Sequence, residues 1–310
     1  MSSEWPAASR AFLRAANGLG ARRAERLWAA GCSLAGRLTR VSARRWASRG
    51  NDSVVVIAPH PDDDALGCAG TLLRHRAAGD RTRIVVMTDG GLSRAYGFDP
   101  PALVVRRREE AAEAARRMGA ELDWLGFPEG GWSTEAAADT LRLRLAELAP
   151  SIVYAPSAVD YHPAHRRVAA ALASALATSA PAAEVRVYTI QVPLTPLLVN
   201  LVNDVSDLAQ PLGRVLAAYA TQRETIAYTL RLRRYAARFY GTGTEVEAFC
   251  AMPAALYSRL HTRPAAQFRG IQPRAWTDPL AALSGLAERA AWRRALASSD
   301  GGAASPGVGA

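Results

Sequence analysis

With 310 residues, 49% of them hydrophobic and 21% charged, the chain has a globular composition and room for one substantial α/β domain with extensions, which excludes a disordered or fibrous protein. The formal net charge is +10, but residues 1–50 hold ten arginines against Glu4 and Glu25, so nearly all of it sits in that stretch. The rest of the chain is close to neutral and is not expected to bind nucleic acid, and the complete absence of lysine marks a compositional preference for arginine.

Residues 1–50 place Phe12, Ala16, Leu19, Leu27, Leu34, Leu38 and Val41 at helical intervals with arginines between them, the pattern of a basic amphipathic helical arm. Gly18, Gly20, Gly31 and Gly36 interrupt it, which argues against one rigid helix. Such an arm suits peripheral contact with an anionic membrane, or packing on the domain or on a second copy. No run of eighteen apolar residues and no compact apolar leader is present, and Cys32, Cys68 and Cys250 form no CxxC pair. The expected setting is reducing and cytoplasmic, at the inner membrane face if the arm meets lipid.

From residue 51 the pattern changes. Strands are expected at 53–58, 83–88, 121–125, 151–155 and 185–192, separated by helices at 67–78, 103–118, 134–148 and 165–179. Gly119 and Pro150 punctuate two of the helix ends. This alternation predicts an α/β fold with a Rossmann-like, mostly parallel sheet and helices on both faces. Residues 211–262 read as helical and close a catalytic domain over 51–262. A C-terminal helical extension is expected over 263–297, and the Ala/Gly/Ser-rich stretch 298–310 reads as a disordered tail.

Two segments carry the chemistry. The β-branched run Val54-Val55-Val56-Ile57 leads into Pro59-His60-Pro61-Asp62-Asp63-Asp64, and Ile152-Val153-Tyr154-Ala155 leads into Asp160-Tyr161-His162-Pro163-Ala164-His165. So many ionisable groups at the ends of hydrophobic strands are costly unless a cation or a reaction uses them. In a parallel sheet both segments fall on the carboxyl rim, where ligands collect. His60 and Asp63 on one loop, completed by His165, make a His₂Asp set for one Zn²⁺ per chain, or another divalent ion, with a position left for water. Asp62 is then free to act as general base, and His162 to face the developing oxyanion. Asp64 is expected to cap the helix that follows.

The chain resembles the PIG-L/LmbE-like family of zinc-dependent deacetylases, which act on N-acetylglucosaminyl conjugates and related amides. The residues that carry the resemblance are Pro59-His60-Pro61-Asp62-Asp63-Asp64 and His162-Pro163-Ala164-His165. It extends through Met87-Thr88-Asp89-Gly90, Arg107-Arg108-Glu109-Glu110, Leu125-Gly126-Phe127-Pro128-Glu129-Gly130, Ala217-Ala218-Tyr219-Ala220-Thr221-Gln222 and Val246-Glu247-Ala248-Phe249. The resemblance implies an LmbE-like fold over roughly 53–252, with His60, Asp63 and His165 as zinc ligands, Asp62 as base and His162 at the tetrahedral intermediate. It also implies that Arg107 and Glu129 hold substrate hydroxyls, and that the substrate is a small-molecule or lipid-linked amino sugar.

Two positions depart from the family pattern. Asp64 stands where a Glu is usual, and Ala164 replaces the Asp beside the catalytic histidine, so Asp160 is expected to stand in as a supporting partner. The alternatives are an amidase of a thiol conjugate or natural-product amide, and a metal-binding homologue with impaired catalysis. A nucleotide-binding Rossmann domain is disfavoured because no GxGxxG follows the first strand. The oligomeric state is not legible.

Overall fold

The computed structural model describes residues 43–261 other than 94–98, 159, 161, 180–181, 189, 191–197 and 241–242, together with residues 30, 34, 294 and 298. The expectations for the arm before residue 43, for the extension over 263–297 and for the tail over 298–310 lie outside the described residues, those isolated positions aside.

β-Branched side chains restrict χ1 and pack well on a pleated surface, and the run at 54–57 forms the central strand β2 (Ser53–Ala58). It is flanked by β3 (Arg81–Thr88) and β5 (Ile152–Ala155), with β4 (Glu121–Phe127) beyond β3 and β6 (Glu184–Val187) beyond β5. All of these pairings are parallel. The sheet continues past β6 through β8 (Val246–Pro253), β7 (Leu201–Asp204) and β1 (Arg44–Arg45), giving the eight-stranded order β1-β7-β8-β6-β5-β2-β3-β4. β8 runs antiparallel to both its neighbours, so the sheet is mixed but mostly parallel.

Successive strand residues point to opposite faces. Val55, Ile57, Val85, Met87, Val153 and Val185 share a core with α3 (Thr134–Leu148), α4 (Pro163–Ser179) and α7 (Ala254–His261). Val54, Val56, Ile84, Val86 and Tyr154 share the other with α1 (Asp63–Ala78), α2 (Pro100–Met118) and α5 (Ala209–Leu216). Burial on both faces is why the central strands read as continuous apolar runs. Helix ends follow local chemistry: the Asp99 and Ser133 side chains accept the Ala102 and Ala136 amides, and Gly79 and Gly119 end α1 and α2 at φ 84° and 71°.

Three stretches differ from the sequence expectation. Within 211–262, helices α5, α6 (Arg223–Tyr240) and α7 are present, but 246–253 is a strand. Only Val246 in it is β-branched, so pairing on both sides with β6 and β7 makes this strand rather than propensity. The strand expected at 185–192 ends at Val187.

Residues 44–49, expected as the end of the helical arm, join the sheet instead. Arg44 and Trp46 donate their amides to the Asn200 and Val202 carbonyls at 2.9 and 2.8 Å. Trp46 packs edge-on to His75 and donates to the Tyr154 hydroxyl, while Ser48 donates to Asp80. The buried His75 bridges Asp80 and Tyr154 at 2.6 and 2.9 Å, so this strap closes a polar network under the sheet.

A buried ion pair braces α1. Glu247 of β8 accepts the Gly70 and Thr71 amides at 2.9 and 2.8 Å and the Thr71 hydroxyl at 2.6 Å. Arg233 of α6 lies 2.8 Å from Glu247 and donates to the Ala65 and Leu66 carbonyls. The approach is close: a Cβ on Gly70 would meet Val205 at 2.5 Å. The C-terminal elements thus grip the helix whose first turn carries Asp63 and Asp64.

Candidate metal centre

The connections after β2 lead to one side of the sheet and those after β5 to the other, so the crevice between β2 and β5 is the topological switch point, where open α/β sheets bind ligands. His60 follows β2, and Asp160, His162 and His165 follow β5. Residues a hundred positions apart therefore meet.

His60 Nδ1 lies 3.0 Å from Asp63 Oδ2 and 3.2 Å from His165 Nε2, and His165 Nε2 lies 3.1 Å from the same Asp63 oxygen. Donors on a tetrahedral zinc with bonds of about 2.0–2.2 Å stand roughly 3.3–3.6 Å apart, so this triangle is slightly tighter than the set around one ion. His162 adds a third ring, 4.8 Å from His60 and 5.1 Å from His165 between centroids. His60, His162 and His165 together form a group able to hold a metal, with ligand atoms within 4.8 Å of one another. His60, Asp63 and His165 are buried and His162 half-buried.

Each buried histidine backs onto a second acid. His60 Nε2 is 3.2 Å from Glu129 Oε1 and His165 Nδ1 is 3.1 Å from Asp160 Oδ2, neither aligned well enough to form a full hydrogen bond. Carboxylates behind metal-ligating imidazoles are the usual way to fix tautomer and ring plane. Burial pulls down the proton affinity of both rings, but Asp63 with Glu129 outweighs it for His60, and Asp63 with Asp160 for His165, so both are raised. Burial opposes the ionisation of Asp63 and of Glu129, yet the imidazoles hold Asp63 well below the usual carboxylate range and Glu129 at about 2.

Asp62 stands apart from the triangle. Its Oδ1 accepts from Arg107 at 2.9 Å, and burial, only partly offset by that guanidinium, pushes it up to about 7. Arg107 is itself buried and also donates to the Gly90 and Pro61 carbonyls. Glu129 spends its second oxygen on the Leu92 amide. The two residues expected at substrate hydroxyls are thus engaged with protein groups.

Asp160 does not partner the His162 ring: it accepts the His162 amide and sits against His165. The His162 Nδ1 accepts from the Ala164 amide at 3.3 Å, which leaves the proton on Nε2. Burial, His60 and His165 bring it down to about 4. Asp64 is not at the N-cap, a position Asp62 occupies: it lies inside the first turn of α1 and accepts from the Tyr219 hydroxyl at 3.0 Å.

Residues 55–176 match the PIG-L family, described as GlcNAc-PI de-N-acetylase. That stretch is similar to a PIG-L domain. It is 32% identical over 136 residues to a probable N-acetyl-α-D-glucosaminyl L-malate deacetylase of Bacillus anthracis, covering 40% of this chain and 59% of that one. It is also 34% identical over 82 residues to a 1D-myo-inositol 2-acetamido-2-deoxy-α-D-glucopyranoside deacetylase of Saccharopolyspora erythraea, covering 24% and 30%. The chain therefore spans less than two thirds of each of these curated relatives. Among solved structures, a conserved protein of Thermus thermophilus superposes with a TM-score of 0.56 at 27% identity, covering 65% of this chain and 96% of that one. Both histidine segments lie inside the PIG-L match, whereas the brace from Arg233 and Glu247 and the Tyr219 contact come from beyond it. Among the described residues, no helix is long and apolar enough to cross a membrane.

Sequence reading assigned no role to Asp89, Glu110, Tyr219 or Thr221. Asp89 ties the Gly91 and Glu129 amides together, and Thr221 donates both its amide and its hydroxyl to Glu110 of α2. Asp89 and the 217–222 stretch lie in the motifs quoted above, but a motif match carries no partner with it.

Proposed function

We propose that this protein is a zinc-dependent N-deacetylase of a GlcNAc-type amino-sugar conjugate. The observation that carries the reading is the triangle of His60 Nδ1, Asp63 Oδ2 and His165 Nε2, beside a buried Asp62 that is paired with Arg107. His60, Asp63 and His165 would hold a divalent ion there, which would supply Lewis acidity toward an amide carbonyl and lower the pKa of water to about 7.

The remaining steps belong to the chain. Asp62 takes the proton of the attacking water and passes it to the departing amine, a shuttle that suits a group pushed up to about 7. Arg107 fixes the Asp62 carboxylate so that it cannot swing onto the ligand set. His162 presents its Nε2–H to the oxyanion as the carbonyl becomes tetrahedral, acting as a neutral donor. Glu129 and Asp160 keep His60 and His165 turned toward the ion.

Acetate release from GlcNAc-L-malate and GlcNAc-inositol by the zinc-loaded protein tests the reading, with Asp62→Asn measured alongside. The variant should keep its zinc and lose about 10²–10⁴ in turnover. Turnover of neither conjugate would move the substrate to another amide, and near-normal turnover by Asp62→Asn would move the base role elsewhere. A catalytically impaired reading rests on Ala164, which leaves the His162 ring without a carboxylate. Zinc binding with no amide cleaved would favour it.

A further inference from the structure

Glu129 lies in neither of the two histidine segments, yet one of its carboxylate oxygens reaches the His60 ring directly. Its Oε1 is 3.2 Å from His60 Nε2, its Oε2 accepts the Leu92 amide at 3.0 Å, and its own amide donates to Asp89 Oδ1 at 3.0 Å. Asp89 Oδ1 also takes the Gly91 amide at 3.0 Å, and the Asp89 amide donates to the Phe127 carbonyl. The turn after β3 and the turn after β4 are thus knitted into one unit, with a single carboxylate leading from it to an imidazole. Leu92, whose amide that carboxylate holds, is 66% exposed at the rim.

We propose that Glu129 is a positioning residue that couples the order of the 89–93 rim turn to the metal affinity of His60, by setting one carboxylate oxygen 3.2 Å from the His60 ring and accepting the Leu92 amide with the other. This rests on the metal assignment made above. A histidine that offers Nδ1 to an ion must carry its proton on Nε2, and a carboxylate there fixes the tautomer and the ring plane. The second oxygen makes the effect reciprocal: whatever orders Leu92 favours the ring orientation that binds metal, and metal binding favours an ordered Leu92 by the same factor. The rim turn is then a linked element of the site and not a passive edge.

The test compares wild type with Glu129→Ala, Glu129→Gln and His165→Ala. Zinc affinity is read by competition with a chromophoric chelator, and Leu92 amide exchange is followed in the zinc-free and zinc-loaded proteins. The expected result is a 10–100-fold weaker zinc affinity for Glu129→Ala, with a smaller loss for Glu129→Gln. Zinc should protect the Leu92 amide in the wild type and leave it unchanged in Glu129→Ala. Glu129→Gln keeps the side-chain volume, so it carries the comparison if the alanine variant is poorly folded. Unchanged affinity and unchanged zinc-dependent protection in the Glu129 variants, with zinc lost in His165→Ala, overturn the coupling and leave the metal site standing. Failure of the wild type to bind zinc, or full binding by His165→Ala, overturns both.

Discussion

Replacing Glu247 by Gln should cost the domain about 3–5 kcal/mol, the penalty of removing one partner from a buried ion pair. The structure explains why this site sits at the full value. Both oxygens of Glu247 are committed, one to the Gly70 amide and Arg233, the other to the Thr71 amide and hydroxyl. A glutamine retains one acceptor but must turn its NH₂ toward groups that are themselves donors, leaving Arg233 buried without a counter-charge. Against a total stability of about 5–15 kcal/mol the loss is large. At about 2–4 °C per kcal/mol for a domain of this size, the melting temperature should fall by roughly 6–20 °C. Calorimetry with urea unfolding measures the loss, and amide exchange at Gly70 and Thr71 should accelerate with it. The double replacement Arg233→Met with Glu247→Leu removes both charges and should recover part of it. A melting temperature within about 2 °C of wild type, or a double variant worse than the single one, would refute the view that this pair braces α1.

Three further outcomes are expected. His165→Ala should strip most of the bound zinc, and wild-type zinc affinity should fall as pH drops, because His60 and His165 both hold protons more tightly than an ordinary histidine and must release them; pH-independent affinity in the chelator assay would contradict this. The His162 ring, brought down to about 4, should stay neutral from pH 5 upward in an NMR titration, and Ala164→Asp should raise its inflection by restoring a nearby carboxylate; a wild-type inflection above about 6.5 would contradict the lowered proton affinity. Buried His261 is brought down to about 3 and is neutral in the fold, so its contribution is fully present above pH 6.5 and is lost as pH falls from there toward 3. Unfolding free energies should therefore fall more steeply over pH 5–3.5 in wild type than in His261→Phe, by up to about 1.4 kcal/mol per pH unit, and parallel curves would exclude the effect.

The central sheet was legible because its strands are buried on both faces and so read as β-branched runs, and the site was legible because two such runs end in histidines and acids. What stayed hidden depends on contacts rather than pattern. Strand β8 has the composition of a helix and exists because β6 and β7 need a partner between them. Arg107 and Glu129 stand out by motif, but their being spent on Asp62, His60 and Leu92 is decided by tertiary contacts. Asp160 was expected to support His162, and supports His165 because the side chain at 162 turns its Nδ1 to the Ala164 amide. Trp46 sits among arginines that suggest a solvated arm, with nothing local to announce that His75 and Tyr154 wait for it.

The strap at 44–49 also decides where this protein can be cut. Testing whether the basic arm binds anionic vesicles requires a chain without it, and a cut at Asn51, where the charge pattern changes, would also remove β1, Trp46 and Ser48. That cut leaves β7 as a bare edge strand, an invitation to strand-to-strand association. It also leaves the Asp80, His75 and Tyr154 network open to water at the end facing away from the metal centre. A chain starting there would adhere to itself, and sedimentation with vesicles would be misread as lipid affinity. A chain starting at Ala43 keeps the strap, sheds most of the arm's arginines, and is the comparison in which pelleting reports lipid alone.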